Sequence, residues 1–487
     1  MAQKKDGIRG AFSQGGESVS RFGYQGGFLT FTNPAAPRRA LGLFTAISLV
    51  AGCMIGTGVF LKPAIMAQHA GSVAIVLLAW LVAGLLSYAG ALTYAELCSR
   101  MPEAGGEYAI LRNVYGRFPA YMYGWMRFTI GAPGSAASYA VGAAAFLHVV
   151  VPYSAMGIKV WQMAVVFIAL FTIINSLTIF VSSSVQVTLT AIKIISLSVL
   201  VGTLFFLAPE AARDAAPVKW PGMVSFSAAL LAALWAYDGW NNLPMLGGEV
   251  KNAQRNLPIA LAVGLGLVIV VYLLVNQAFF HVLTFNEVLA ANPSVKPDAE
   301  PVATAAMHKV ISDASVKVIA AMMVVSALGA MSGSILASAR VPYAMAHDGV
   351  FFKPLGRLSP VNAIPVVSTI TQGSIAALLA VSGTFDELTD SVVFASYIFY
   401  GLTAGAIFKI RGFRKTAAEP GIFRTPLYPI LPLLFLLCSA GFIIYAAIAM
   451  PYLTAIGIGV ILLGVPGYFW FTKKKPSSAP QLTQSAS

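Results

Sequence analysis

The sequence has few charged residues. Asp, Glu, Lys and Arg make up 10% of its 487 residues, against roughly 25% in soluble domains. Hydrophobic residues make up 58%, and the mean hydropathy is +0.78. So little charge does not supply the surface of a soluble protein of this length. The composition therefore predicts a membrane protein that crosses the bilayer many times.

Cysteine and histidine are scarce as well. The three cysteines, Cys53, Cys98 and Cys438, lie inside or at the ends of apolar runs, and the five histidines form no pair at metal-ligand spacing. The sequence also has no Gly-x-x-x-x-Gly-Lys nucleotide-binding loop and no evident nucleophile–base pair. These absences argue against a disulfide framework, a metal site, an ATP-driven pump and an enzyme, and no cofactor is expected.

No cleavable signal peptide is evident in residues 1–40. This stretch is polar, basic and rich in glycine, with no short apolar core ahead of a small-residue cleavage site. We expect a flexible cytoplasmic tail, with the first membrane span acting as the insertion signal. Its six basic residues are either solvated or in contact with anionic membrane lipid.

The apolar runs predict twelve spans, taking roughly 20 residues for each. The predicted fold is all-α and integral to the membrane, with a transporter domain at residues 41–472 and a second cytoplasmic tail at 473–487. The spans lie at about residues 41–66, 72–97, 119–151, 160–181, 184–208, 222–248, 258–285, 314–346, 364–382, 389–409, 426–449 and 451–472. Residues 286–313 would form the longest outward loop.

The basic residues are unevenly divided between the two faces of this topology. Of the 31 lysines and arginines, 22 fall in the tails and in the loops on the side of the tails. Because lysine and arginine concentrate on the cytoplasmic side, both termini are predicted to be cytoplasmic. The formal charge of +13 is thereby explained by topology, and no nucleic-acid partner is expected.

Two spans are interrupted in corresponding places. Span 1 contains Gly52-Cys-Met-Ile-Gly-Thr-Gly58, and span 6 contains Trp235-Ala-Tyr-Asp-Gly-Trp-Asn-Asn242. Non-helical backbone at membrane depth is tolerated where it lines a cavity or is buried in protein, and paired interruptions point to a transporter's binding site. We predict inverted repeats at residues 41–208 and 222–409, with spans 11 and 12 at residues 426–472 as an addition.

The two interruptions offer complementary chemistry. A half-helix that begins near Gly58 would present free N–H groups to a carboxylate, although small residues there also suit close helix packing. The last carbonyls before the break in span 6 would favour an ammonium group. Trp235 offers either a flat lid over the ligand or ordinary apolar packing. Together these groups describe a site for an α-amino acid.

Three of the charged residues inside spans, Asp238, Lys193 and Arg127, could take part in transport. Asp238 would contact a cationic substrate, cap the second half-helix, or pair with Lys193 or Arg127. Lys193, about eight residues into span 5, would donate to the carbonyls exposed by the break in span 1, exchange a proton during transport, or form a static bridge. For Arg127 a network with the cytoplasmic loops is favoured over a ligand contact. On span 8, Ser334 is a candidate pocket residue, although such serines also serve helix packing.

These motifs resemble the amino acid–polyamine–organocation superfamily, in its L-type amino acid transporter branch. The residues that carry the likeness are Gly52 to Phe60, the span 6 motif, and the continuation Gly248-Glu-Val-Lys-Asn-Ala-Gln-Arg-Asn-Leu-Pro258. The resemblance implies the leucine-transporter-like fold of five plus five inverted spans. It also implies alternating access of an α-amino acid.

The resemblance further implies roles for particular residues. The backbone of Ile55, Gly56, Thr57 and Gly58 would hold the carboxylate, and carbonyls of Trp235, Ala236 and Asp238 the amine. Trp235 falls at the aromatic gate, Ser334 at a pocket position, and Lys193 at the lysine that replaces a sodium site. Exchangers of cystine and basic amino acids share Trp-Ala-Tyr-Asp-Gly-Trp, with the aspartate implicated in cationic selectivity.

The resemblance also bears on partners. Animal relatives join a heavy subunit through a cysteine between spans 3 and 4, and the matching loop at residues 152–159 has none. A covalently linked heavy subunit is therefore not expected, and the protein resembles a stand-alone bacterial relative.

We expect a sodium-independent transporter of neutral or cationic amino acids, working by exchange, in the plasma membrane or bacterial inner membrane. The alternatives are a proton-coupled amino acid symporter on the same fold, with Lys193 as the titrating group, and a transport-inactive amino acid-binding membrane receptor or scaffold.

Overall fold

A computed structural model describes residues 24–25, 28–29, 37–208, 220–291, 299–310, 314–382, 385–412 and 419–473. The predicted tails at 1–40 and 473–487 lie almost wholly outside the described residues. So do residues 292–298 and 311–313 of the predicted outward loop.

The described part of the chain is dominated by α-helices. Two short antiparallel strands precede them, β1 (Tyr24–Gln25) and β2 (Phe28–Leu29). The helices are α1 (Leu43–Met54), α2 (Gly58–Ala70), α3 (Val73–Arg100), α4 (Glu107–Tyr115), α5 (Arg117–Met126), α6 (Ala132–Val150), α7 (Val160–Asn175), α8 (Ile179–Phe206), α9 (Met223–Ala236), α10 (Asn242–Met245), α11 (Ala253–Val282), α12 (Phe285–Ala290), α13 (Val302–His308), α14 (Ala314–Ser338), α15 (Arg340–His347), α16 (Val366–Ser382), α17 (Phe385–Arg411), α18 (Ile430–Ala449), α19 (Pro451–Leu462) and α20 (Gly464–Lys473).

Many of these helices are long and apolar enough to cross a membrane. Among the described residues seven continuous helical segments qualify, and the pair α1 and α2, bent by 41°, makes an eighth. The apolar helices α7, α9 and α16 are shorter. Each predicted span has a helix at its place, so the all-helical membrane fold is supported, while the number of twelve crossings stays a prediction.

The predicted outward loop is more ordered than the sequence suggested. It contains α12 and α13 rather than irregular chain alone. Thr284 starts α12 with a capping box, because its hydroxyl accepts from the Glu287 N–H at 3.3 Å and the Glu287 carboxylate accepts from the Thr284 N–H at 2.8 Å.

Helices that lie five predicted spans apart pack against each other. Helix α2 packs on α9, α3 on α11, α6 on α14, and α7 on α16. Two copies of one five-span unit would produce such pairs, although the inverted repeat itself stays a prediction. The arrangement places the break between α1 and α2 beside the break between α9 and α10.

One face of the bundle is closed by contacts between the start of α1 and the segment after α10. We call it the tail face, because the chain enters α1 there. The N–H groups of Ala40 and Leu41 donate to the Glu249 carbonyl at 2.9 Å, and the Lys251 N–H donates to the Leu41 carbonyl at 2.8 Å. The Gly105 N–H, in the loop before α4, donates to the Met245 carbonyl at 2.9 Å.

A buried ion pair fixes this closure. Arg340, at the start of α15, donates through Nε and Nη2 to the two carboxylate oxygens of Glu249 at 2.7 and 3.0 Å. The side chains are 1% and 3% exposed. Because breaking a buried pair leaves one charge uncompensated, both partners are needed together.

We therefore predict that Glu249→Gln lowers stability by about 3 to 5 kcal/mol, since Arg340 stays buried without its anion. Thermal unfolding of the purified protein in detergent measures the change. The matched control is Glu287→Gln, which removes a half-exposed pair with Lys309 and should cost under about 1 kcal/mol. Equal losses in the two variants would contradict this account.

Candidate substrate site at the two helix breaks

The first break leaves backbone donors free. Helix α1 ends at Met54 and α2 begins at Gly58. Among the described residues no acceptor meets the N–H groups of Gly56, Thr57, Gly58 or Val59, whereas those of Phe60 and Leu61 donate to the Thr57 carbonyl at 3.1 Å. These free donors sit at the positive end of the α2 dipole, an arrangement that favours an anion.

The second break packs directly against the first. Gly239 has a φ of +120°, and a Cβ there would lie 2.8 Å from the Cys53 carbonyl oxygen. A Cβ on Gly58 would lie 2.7 Å from the Cβ of Ala236. Glycine is therefore required at both positions for the two unwound segments to approach.

A tyrosine joins the two breaks. The Tyr272 hydroxyl, on α11, lies 2.7 Å from the Met54 carbonyl oxygen and 2.9 Å from that of Ala236. Its single proton is donated to one carbonyl at a time, so the hydroxyl couples the last turns of α1 and α9. Sequence reasoning missed Tyr272. The available signal was a lone tyrosine within the long apolar run of span 7.

The carbonyls predicted to hold an amine are partly used within the protein. The Trp235 carbonyl accepts from the Asp238 N–H at 3.0 Å, and the Ala236 carbonyl from Tyr272. A carbonyl oxygen has two lone pairs, so each can accept a further hydrogen bond.

Lys193 lies against the first break. Its ammonium group donates to the carbonyls of Gly52 at 2.7 Å and Ile55 at 2.6 Å, and the residue is 2% exposed. A Cβ on Gly329 of α14 would lie 2.6 Å from the Lys193 side chain, so glycine leaves the room it occupies. The lysine amine thus occupies the carbonyls at the end of α1.

Helix α14 also contributes a hydroxyl to the first break. The Ser326 hydroxyl lies 3.2 Å from the carbonyl oxygens of both Ile55 and Gly56 and donates its proton to one of them at a time. Ser334 lies two turns further along, is buried, and has no hydrogen-bond partner among the described residues. Its role as a pocket residue stays a prediction.

Trp235 stands between helices α2 and α6. Its ring centroid lies 6.5 Å from that of Tyr139 on α6, and the Lys62 ammonium nitrogen lies 4.9 Å from the ring centroid. The Trp235 side chain is half-buried. A partly accessible indole beside the free N–H groups of the first break is in position to cover a bound ligand.

The hydrogen-bond partner of Asp238 is a tyrosine hydroxyl and not a lysine or an arginine. Its Oδ1 accepts from the Tyr400 hydroxyl of α17 at 2.8 Å. Asp238 forms no ion pair with Lys193 or with Arg127, all three lying within the described residues. Arg127 is buried in a short π-helix, Arg127–Gly131, and donates to the Asn242 Oδ1 at 3.1 Å. The ion pair considered for Asp238 is therefore absent from this conformation.

The two breaks thus bring free N–H donors and backbone carbonyls together inside one helical bundle. The family model for amino acid permeases matches residues 41–470. The chain belongs to the amino acid permease family. This permease is accordingly a transporter in the amino acid–polyamine–organocation superfamily, and not an enzyme.

Three relatives illustrate the range of the family. The permease is 29% identical to the serine/threonine exchanger SteT of Bacillus subtilis (strain 168), over 90% of this chain and 98% of the relative. It is 30% identical to the human b(0,+)-type amino acid transporter 1, over 92% and 91%. It is 26% identical to the human cystine/glutamate transporter, over 90% and 87%.

We predict that Lys193→Ala lowers amino acid flux at least about tenfold, because the break in span 1 loses two charge-assisted hydrogen bonds worth roughly 1.5 to 3 kcal/mol each. Flux in proteoliposomes and the amount of folded protein in the membrane are the two measurements. Lys317→Ala, on the exposed start of α14, is the matched control and should transport normally. Normal flux in the Lys193 variant would contradict the role assigned to the lysine.

Proposed function

We propose that the permease exchanges α-amino acids across the membrane by alternating access, without sodium, and carries cationic as well as neutral substrates. The observation that carries the proposal is the meeting of the two breaks. Free N–H groups at the start of α2 suit a substrate carboxylate, and the carbonyls at the end of α9 suit its amine.

Sodium independence follows from the position of Lys193. Its ammonium group already occupies the carbonyls of Gly52 and Ile55, which would otherwise be ligands for a cation. A sodium ion bound beside this ammonium would be repelled by a like charge at close range. The Lys193 ammonium therefore supplies the positive charge that a bound sodium ion would supply at these carbonyls.

Exchange and substrate range are supported by the relatives. One is named as a serine/threonine exchanger and another as a b(0,+)-type amino acid transporter. Within the permease, Asp238 is half-buried at the second break, and its carboxylate offers a counter-charge to a cationic side chain. Trp235 would close over the bound amino acid, and Ser334 would line the pocket.

The permease would be a multi-pass protein of the plasma membrane or of the bacterial inner membrane. It has twelve crossings in a five-plus-five inverted repeat, and the tail face is cytoplasmic because most basic residues lie on that side. The turn at residues 152–159 contains no cysteine, so the permease would work without a covalently linked heavy subunit.

Flux of a radiolabelled amino acid into proteoliposomes tests the proposal. We expect uptake to require unlabelled amino acid inside, because an exchanger returns to the outside only when loaded, and to persist when choline replaces sodium. Uptake into empty vesicles driven by a pH gradient would indicate a proton symporter instead. Binding without flux in sealed vesicles would indicate a receptor.

We predict that Asp238→Asn weakens competition by arginine, lysine and ornithine about tenfold or more while competition by leucine changes little. The reason is that the variant loses the charge that faces a cationic side chain, and a hydrogen bond to a charged group is worth about 1.5 to 3 kcal/mol. Competition for labelled uptake measures both. Glu300→Gln is the control, because Glu300 is exposed and lies outside both breaks. Equal loss for leucine would assign Asp238 a structural role.

A further inference from the structure

A fully buried carboxyl, that of Glu107, is joined by hydrogen bonds to the candidate substrate site. Glu107 begins α4 in the loop segment on the tail face, and its side chain is fully buried. Its Oε2 accepts from the Tyr94 hydroxyl at 3.2 Å, and its Oε1 accepts from the Asn241 amide at 3.4 Å. Both donors are neutral, and Glu107 forms no ion pair within the described part of the chain.

A short chain of hydrogen bonds connects Glu107 to Asp238. The Asn241 amide that reaches Glu107 also donates to the Tyr400 hydroxyl at 2.7 Å. That hydroxyl donates in turn to Asp238 at 2.8 Å. Asn241 belongs to the second break, so the carboxyl in α4 is two side chains away from the residue proposed to read substrate charge.

The charges around this chain do not balance when both carboxyls are ionised. Arg127 is the buried cation that acts on both carboxyls, and it donates to Asn242 rather than to either of them. The Asn241 Oδ1 is buried and without a partner among the described residues, so it can accept a hydrogen bond from the O–H of a protonated carboxyl. The titratable or charged groups that face Glu107 from the surrounding elements are Tyr94 and Cys98 on α3, Tyr123 on α5, Arg127, Asp238 and Tyr400.

We propose that Glu107 is a proton-binding site that compensates the charge of the transported amino acid. With a neutral substrate the Glu107 carboxyl holds its proton. When a cationic side chain binds beside Asp238, the O–H bond of Glu107 breaks, the proton passes to water, and the carboxylate formed offsets the incoming positive charge. The inference rests on the proposed function, because it assumes that cationic and neutral amino acids share the site.

The electrostatics of Glu107 agree with an exchangeable proton. Burial raises the pKa of this carboxyl from 4.5 to about 7, while the positive charge of Arg127 acts in the opposite direction. The group is thus protonated below about pH 7 and ionised above it. A nearby positive charge favours the ionised form of a carboxyl and lowers its pKa. Binding of a cationic substrate would therefore cause Glu107 to release its proton.

Infrared difference spectroscopy on the whole permease tests the proton site without any substrate. Between about pH 6 and about pH 8 we expect one protonated-carboxyl band to titrate. It should be absent in Glu107→Gln and retained in Glu103→Gln, a more exposed glutamate of the same loop. Glu107→Asp, which keeps the carboxyl, should shift the band. No titrating carboxyl in the wild type, or an unchanged band in the Gln and Asp variants, would overturn the proposal.

Substrate addition then tests the coupling. A pKa lowered by about one unit reduces the protonated fraction about fivefold near neutral pH, so arginine should lower the band by that factor and leucine should not. Arginine that binds and leaves the band unchanged would refute the coupling. A titrating Glu107 in a permease that carries no arginine would support the proton site and count against the proposed substrate range alone.

Discussion

The cost of unpaired backbone in a membrane shapes this protein. Two helices are interrupted deep in the bundle, and lipid offers no hydrogen bonds to the groups that the breaks expose. Side chains from other helices therefore serve the carbonyls of the first break. The Lys193 ammonium, the Ser326 hydroxyl and the Tyr272 hydroxyl do so from α8, α14 and α11. The N–H groups at the start of α2 remain for a ligand.

The same constraint links the breaks to each other and to the tail face. Tyr272 touches carbonyls of both breaks, and Gly239 lets the second break press on the first. Below them the chain that leaves α10 is held to the start of α1 and, through Glu249, to Arg340. A movement of α1 at the tail face would have to release these bonds.

The charged groups in the interior have neutral hydrogen-bond partners. Lys193 donates to carbonyls, Arg127 donates through Nη2 to the Asn242 amide oxygen, and the two carboxyls accept from phenols and an amide. In this conformation none of these four groups pairs with an opposite charge, and the buried Arg127 Nε has no partner among the described residues. Buried groups held by neutral partners respond strongly to a charge that enters the site. This arrangement is the reason we propose that the interior responds to the net charge of the bound amino acid.

Much of this organisation is visible in the residues. Apolar runs and glycine breaks predicted the helical membrane fold and the two interrupted spans, because hydropathy and backbone freedom are local properties. The lysine in span 5 was conspicuous because an ion at that depth is costly.

The roles of four other residues were not predictable, because each role depends on a partner that lies far away in the chain. These residues are Tyr272, Ser326, Tyr400 and Glu107. Ser326 and Ser334 look alike in sequence, and only the rotation of α14 against α1 puts the former on the break. For the same reason the sequence left the role of Asp238 open, because a carboxylate can cap a helix, pair with a cation or bind a substrate. The packing of α17 beside the break makes Tyr400 its hydrogen-bond partner.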